Sequence, residues 1–186
     1  MYAVIALFDE QMEQRIKDVW KDLHEKEISF YAAEVKNRLP HITIASYSNL
    51  NYEEWMHSME TVYKEQESIT ITMQTIGTFL KSRTLFFAPT VTNELMQMHT
   101  NYHQQFSTFN DNPNSIYLPG NWIPHCTIAN RLSEEKLSEA YSYCSKNINP
   151  IQGEICEIAL IELIYDENGK CTEAPVLYSK KLHGNK

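Results

Sequence analysis

One hexapeptide occurs twice in this chain. Pro40-His41-Ile42-Thr43-Ile44-Ala45 returns as Pro124-His125-Cys126-Thr127-Ile128-Ala129, with only the third position changed. The two histidines lie 84 positions apart in a chain of 186 residues, a little under half its length. The same offset carries Tyr2–Phe8 onto Phe86–Thr92, Asp9-Glu10 onto Asn93-Glu94, and Met12 onto Met96. A repeat of this length is a whole supersecondary unit rather than a turn of a solenoid. It confines the chain to two similar halves.

The surroundings of each motif repeat as well. Tyr2–Phe8 is an apolar run that stops at Asp9 and Glu10, as a buried strand does. Met12, Ile16, Val19 and Leu23 then form an apolar stripe at helical spacing; Leu95, Met98, Tyr102, Phe106 and Phe109 form its counterpart. After the first motif, Trp55, Met59, Val62 and Tyr63 mark a helix, with Asn51 and Glu54 placed as a capping box. After the second, Leu137, Ala140, Tyr141 and Cys144 do so, with Ser133 as cap and Glu134 and Glu135 in the first turn. Each helix is followed by a β-rich run. Ile69 to Leu80 turns at Lys81-Ser82-Arg83 into Thr84–Pro89, and Ile151 to Tyr165 turns at Asn168-Gly169 into Ala174–Leu182. The clearest loop is Asn110 to Asn121.

Strand, helix, motif strand, helix, strand is therefore read twice. The expectation is an α+β fold: one bilobal domain over residues 1–186, built by internal duplication. Two mainly antiparallel sheets line a central cleft, with helices on the outer faces.

Side chains alternate across a strand. His41, Thr43 and Ala45 are expected on one face and Ile42 and Ile44 on the other; His125, Thr127 and Ala129 are opposed in the same way to Cys126 and Ile128. The apolar faces suit packing against helices. The His/Thr faces are left to the space between the halves. A His and a Thr two apart on a strand have Cα atoms about 6.5 Å apart, so both can reach one small anion. A threonine hydroxyl donates to a phosphate oxygen, and an imidazole holds or gives a proton near neutral pH. Two such pairs suffice for phosphodiester cleavage by general acid and base, with no metal and no cofactor. Packing alone gives little reason to keep the polar pair twice on otherwise apolar strands.

Charge narrows the ligand. With 16 Lys+Arg against 24 Asp+Glu the net charge is -8, which argues against a protein that coats DNA or long RNA. A site for a single phosphate remains open. Cys126, Cys144, Cys156 and Cys171 have neither CxxC nor disulfide-scaffold spacing and read as reduced thiols of a cytoplasmic protein. The first residues read as a strand rather than a secretory signal, and no stretch has the roughly 18 apolar residues of a membrane span. His99 and His103 share a helix face at a spacing that can bind zinc, but Thr100 stands where a metalloprotease pattern needs Glu.

On its two HxTx motifs, His41-Ile42-Thr43-Ile44 and His125-Cys126-Thr127-Ile128, the sequence resembles the 2H phosphoesterase superfamily, in particular its bacterial 2'-5' RNA ligase-like and cyclic phosphodiesterase branch. The resemblance runs the length of the chain. It implies a metal-independent phosphodiesterase acting on 2',3'-cyclic phosphates or 2'-5' linkages of nucleotides or RNA ends. His41 and His125 would be acid and base, with His125 activating water and His41 protonating the leaving oxygen, and Thr43 and Thr127 would hold the phosphate. Members that process RNA carry basic or aromatic residues near the cleft. Here Arg83 and Tyr47 are the substrate-binding candidates, and Arg38, Trp122 and Arg131 are further residues near the motifs. The expected protein is a monomer working on a small nucleotide or RNA end, not on a long duplex or a membrane. Two other readings stand beside it: a non-catalytic binder of a phosphorylated ligand, and a metallohydrolase using His99 and His103.

Overall fold

Four helices begin where a side chain caps a free backbone N–H. In the computed structural model, which describes residues 1–184, Asp9 caps α1 (Glu10–Glu25) and Asn51 caps α2 (Tyr52–Val62). Thr92 caps α3 (Asn93–Gln105) and Ser133 caps α4 (Glu134–Asn147). Each cap oxygen accepts from the N–H three residues on, which satisfies one of the donors that a helix start leaves without an intrahelical partner. The α3 stripe is shorter than its apolar spacing predicts. The helix stops at Gln105, and Phe109 falls in a separate 3-10 turn. Among the described residues no helix is long and apolar enough to cross a membrane.

The strands are β1 (Tyr2–Phe8), β2 (His41–Tyr47), β3 (Ile69–Phe79), β4 (Thr84–Pro89), β5 (Cys126–Ala129), β6 (Ile151–Glu162), β7 (Ile164–Tyr165), β8 (Cys171–Glu173) and β9 (Val176–Lys181). Their order is β2-β1-β6-β3-β4-β5, every ladder antiparallel, with β9 also on β6 and β7-β8 as a small separate pair. The order is palindromic when β1 is matched with β4, β2 with β5 and β3 with β6. Each half of the chain lends its last strand to the other: β3 pairs with β4, and β6 pairs with β1.

Strand β6 is the hinge line of the architecture. Its beginning pairs with β3 from Ile151 to Ile155, and β9 takes over that role from Glu157 to Ile161. Where β3 departs, one sheet becomes two limbs. The limbs turn towards each other until β2 and β5, at opposite ends of the strand order, are in contact. The hairpin expected to run from β6 directly into β9 is interrupted instead. Gly169, at φ 73, makes the turn between β7 and β8, and Pro175, which lacks an N–H, separates β8 from β9.

Helices cover the outer faces over one large core, in which Trp55, Tyr102, Phe106, Met12, Ile16 and Met59 are fully buried. Each such side chain contributes about 1.5–3 kcal/mol by leaving water. The continuous apolar run of β1 has a second cause. Val4, Ala6 and Phe8 enter the large core, while Ala3, Ile5 and Leu7 enter a smaller one with Val35, Ala159, Ile161 and Ala174.

Candidate active site

The motif strands β2 and β5 stand at the two ends of the strand order, and each carries the same irregularity. Thr43 pairs with Ile5 and Ala45 with Val4, which leaves Ile44 without a partner. Thr127 pairs with Phe86 and Ala129 with Leu85, which leaves Ile128 without one. An extra residue in a ladder shifts the alternation of faces by one. His41 and Thr43, and His125 and Thr127, line a common cavity of about 380 Å³. Past the bulges the next residues to line it are Ser46 and Asn130, again 84 positions apart, not Ala45 and Ala129. The two alanines are in the core. Strict alternation placed them wrongly because a bulge has no mark in composition.

The same shift removes Tyr47 from the cleft. It is buried in the core, its hydroxyl 2.7 Å from that of Tyr102, and burial pushes its pKa up to about 12. Arg83 is exposed at φ 52 on the turn between β3 and β4 and is not among the residues lining the cavity. Arg131 is likewise exposed at φ 55 and outside the lining.

Both motif histidines are tethered alike. His41 Nδ1 lies 2.6 Å from the Leu39 carbonyl oxygen, and His125 Nδ1 lies 2.7 Å from that of Ile123. A carbonyl can only accept, so each Nδ1 carries the proton and each neutral ring keeps Nε2 as its free basic nitrogen. Burial lowers the pKa of His41 to about 4, helped by the charge of Arg38 and by His125, against the raising effect of the Leu39 carbonyl. Burial also lowers His125. The rings differ in their packing: His125 lies 4.8 Å from Phe79 and 5.2 Å from Phe86, centre to centre. Gly77 makes room for this cluster, since a Cβ there would stand 2.5 Å from the tip of the Phe86 ring.

The threonines are held across the cleft. Trp122 Nε1 donates to the Thr43 carbonyl at 2.9 Å, and Trp20 Nε1 donates to the Thr127 carbonyl at 3.1 Å. Tyr117 and Tyr31 line the cavity beside the two threonines. Each motif threonine is thus held at its backbone by an indole from the other half of the chain. Edge strands leave backbone carbonyls without ladder partners, and the indoles satisfy two of them. Sequence reasoning missed Trp20, Tyr31 and Tyr117 because each acts from a distant segment.

His99 and His103 are structural neighbours of this scaffold. His99 is fully buried, stacks on Trp122 at 3.8 Å between ring centres, and places Nε2 2.7 Å from the Tyr117 carbonyl. His103 places Nε2 3.1 Å from the Ile44 carbonyl, at the unpaired bulge residue. Each of these nitrogens donates to a carbonyl and has no lone pair left for an ion. Among the described residues no group of three His, Cys, Asp or Glu is arranged to hold a metal ion. Trp122 is correspondingly a packing and positioning residue, buried under His99. The four cysteines are free thiols, and burial pushes Cys126 and Cys144 up to about 12, so they act as apolar side chains.

Beside the two His/Thr pairs the cavity is lined by Tyr31, Arg38, Tyr117 and Asn130, and by Ala3, Ile161, Leu163 and Ala174. Among the described residues no carboxylate lines it. Two imidazoles, the threonine hydroxyls and one guanidinium are therefore on offer to an anion, with apolar side chains in the same wall.

Known proteins of the same shape place this geometry in context. A family model described as the 2'-5' RNA ligase superfamily matches residues 8–167. A search of curated proteins returns no match. Among solved structures, apo Escherichia coli LigT aligns with a TM-score of 0.62 at 16% identity, over 98% of this chain and 96% of that one. LigT complexed with 3'-AMP aligns with a TM-score of 0.65 at 15% identity, over 97% of each chain. TT0787 of Thermus thermophilus aligns with a TM-score of 0.59 at 13% identity, over 100% of this chain and 99% of its own. At such identities the likeness is one of fold.

Proposed function

The chain belongs to the 2'-5' RNA ligase superfamily, and on that premise we propose that it is a metal-independent phosphodiesterase acting on 2',3'-cyclic phosphates or 2'-5' linkages of nucleotides or RNA ends. The observation that carries the reading is the matched pair of imidazoles, each with Nδ1 tied to the carbonyl two residues earlier and each beside a threonine. E. coli LigT has been solved with 3'-AMP and with ATP. By that likeness the ligand here is a small nucleotide or the end of an RNA. We read the whole chain as one bilobal domain of duplicated origin, supported by the palindromic strand order.

The phosphate sits between the pairs. One imidazole Nε2 removes a proton from water as its oxygen bonds to phosphorus. The other, carrying a proton on Nε2, gives it to the ribose oxygen as the phosphorus–oxygen bond breaks. By family likeness His125 is the base and His41 the acid; burial keeps the free His41 ring neutral, so it takes up its Nε2 proton as the anionic phosphate binds beside it. The two then exchange protons with solvent to reset. Thr43 and Thr127 donate to the non-bridging oxygens. Acid–base work of this kind contributes about 10²–10⁴-fold. Fixed positioning and charge supply the rest.

A panel of 2',3'-cyclic nucleotides and 2'-5' oligonucleotides in EDTA, read by product identity, tests this. Turnover to a defined 2'- or 3'-phosphate is expected, with a loss of at least 10²-fold in His41→Ala and in His125→Ala. Strict metal dependence, or full activity after either substitution, overturns the mechanism. Tight binding with no product across the panel makes the protein a sensor of phosphorylated ligands instead.

A further inference from the structure

Arg38 is a guanidinium without a counter-charge. Its central carbon lies 3.7 Å from the centre of the Tyr31 ring, stacked on a residue that lines the cavity with Thr127. It lines the cavity with His41, three residues on, and its charge is felt there. Among the described residues no carboxylate forms an ion pair with it, and its Nε is buried with no hydrogen-bond partner. The protein carries a net charge of -8, so an acidic partner could readily have been supplied.

Half-burying an unpaired cation is costly, and an unsatisfied buried N–H adds to the cost. Such a group persists where a ligand completes it. Among the described residues it is also the only formally charged side chain in the lining, because the cavity includes no Lys, Asp or Glu and both histidines are driven towards neutrality by burial. We propose that Arg38 is the charge partner of the substrate's phosphate. Stacking on Tyr31 sets the plane of the guanidinium, and it meets the non-bridging oxygens beside the His41 and Thr127 groups. One guanidinium matches the single negative charge of a phosphodiester. The inference deepens the phosphodiesterase reading by naming the residue that holds its anion.

Inorganic phosphate is a probe that does not depend on turnover. Calorimetric titration into the full-length protein, with Arg15→Gln on the exposed face of α1 as a charge control, reads the role directly. The expected result is phosphate binding weakened at least 10-fold in Arg38→Gln, partly restored in Arg38→Lys, and unchanged in Arg15→Gln, in proteins with normal melting curves. If Arg38→Gln misfolds, Arg38→Lys still decides: weakened phosphate binding supports the proposal, and wild-type affinity with the planar stack lost overturns it. Wild-type affinity in both Arg38 variants overturns the proposal, as does a wild-type protein that binds no phosphate. Arg38-dependent binding without cleavage of any diester would sustain the anion site and remove the phosphodiesterase. Cleavage with unaltered kinetics and phosphate affinity in Arg38→Gln would do the reverse.

Discussion

Trp122 donates its indole proton to the carbonyl oxygen of Thr43 at 2.9 Å, from a segment 79 residues further along the chain. The bond ties the loop before the second motif to the backbone of the first. Its counterpart from Trp20 to Thr127 ties α1 to the second motif. The cleft is therefore held across its mouth by contacts that a shift of either limb would break.

Trp122→Phe keeps an aromatic ring under His99 and leaves the Thr43 carbonyl without its donor. An orphaned buried carbonyl costs about 1–3 kcal/mol. In a domain of this size that is a fall in Tm of roughly 2–4 °C per kcal/mol. Because the same bond holds the Thr43 backbone in the cavity wall, turnover of the preferred diester should drop by more than the folded fraction does. Steady-state kinetics beside a thermal melt separates the two, and unchanged kcat in a destabilised protein would limit the indole to a folding role.

Tyr47→Phe tests the consequence of the bulge at Ile44. The hydroxyl lies in the core against Tyr102, which also accepts from Trp55 at 3.1 Å. Stability should fall by about 1 kcal/mol, while KM and kcat stay at wild-type values. A several-fold rise in KM would return Tyr47 to the substrate site.

Gly77→Ala places a methyl group 2.5 Å from the tip of Phe86, so the ring must move. Phe86 packs on His125. Activity should fall 10-fold or more with a small change in Tm, and the acid limb of the pH profile should move, since the burial of His125 changes. A variant with a wild-type pH profile would separate Phe86 from the imidazole.

Acid should unfold the protein earlier than its carboxylates alone require. His99 is fully buried, and its pKa is lowered by burial to about 4. The unfolded chain titrates near 6.5. Between these values the unfolded state holds a proton that the folded state refuses, so stability falls as pH drops from 6.5 towards 4. At pH 5 one such group is worth on the order of 2 kcal/mol. His41, also lowered to about 4, acts in the same direction. His99→Phe keeps the stack on Trp122 and removes the titration. Its Tm should depend less steeply on pH between 7 and 5 than the wild type, whatever its absolute value. An identical slope would mean that His99 does not carry the effect.

The repeat of Pro-His-x-Thr-Ile-Ala was enough to anticipate a fold of two matched halves with helices outside and His/Thr pairs within. Period-2 and period-3.6 patterns and caps are local properties, so Asn51 and Ser133 announced their helices from the sequence, while the caps at Asp9 and Thr92 emerged with the structure. The chemistry of the motif was legible for the same reason: His and Thr two apart on a strand share a face whatever lies opposite.

What lies opposite belonged to the tertiary structure. The exchange of β3 and β6 between halves, and the closure of β2 on β5, depend on pairings between segments far apart in the chain. The bulges at Ile44 and Ile128 arise in the ladder, not in either strand alone; they send Tyr47 and the two alanines into the core and bring Ser46 and Asn130 to the cavity. Arg38, Arg83 and Arg131 are alike as letters. Only three-dimensional packing sets Arg38 on Tyr31 beside His41 and leaves the other two in solvent. A sequence states which groups a chain owns; which of them meet is decided by long-range contacts that close only when the whole chain folds.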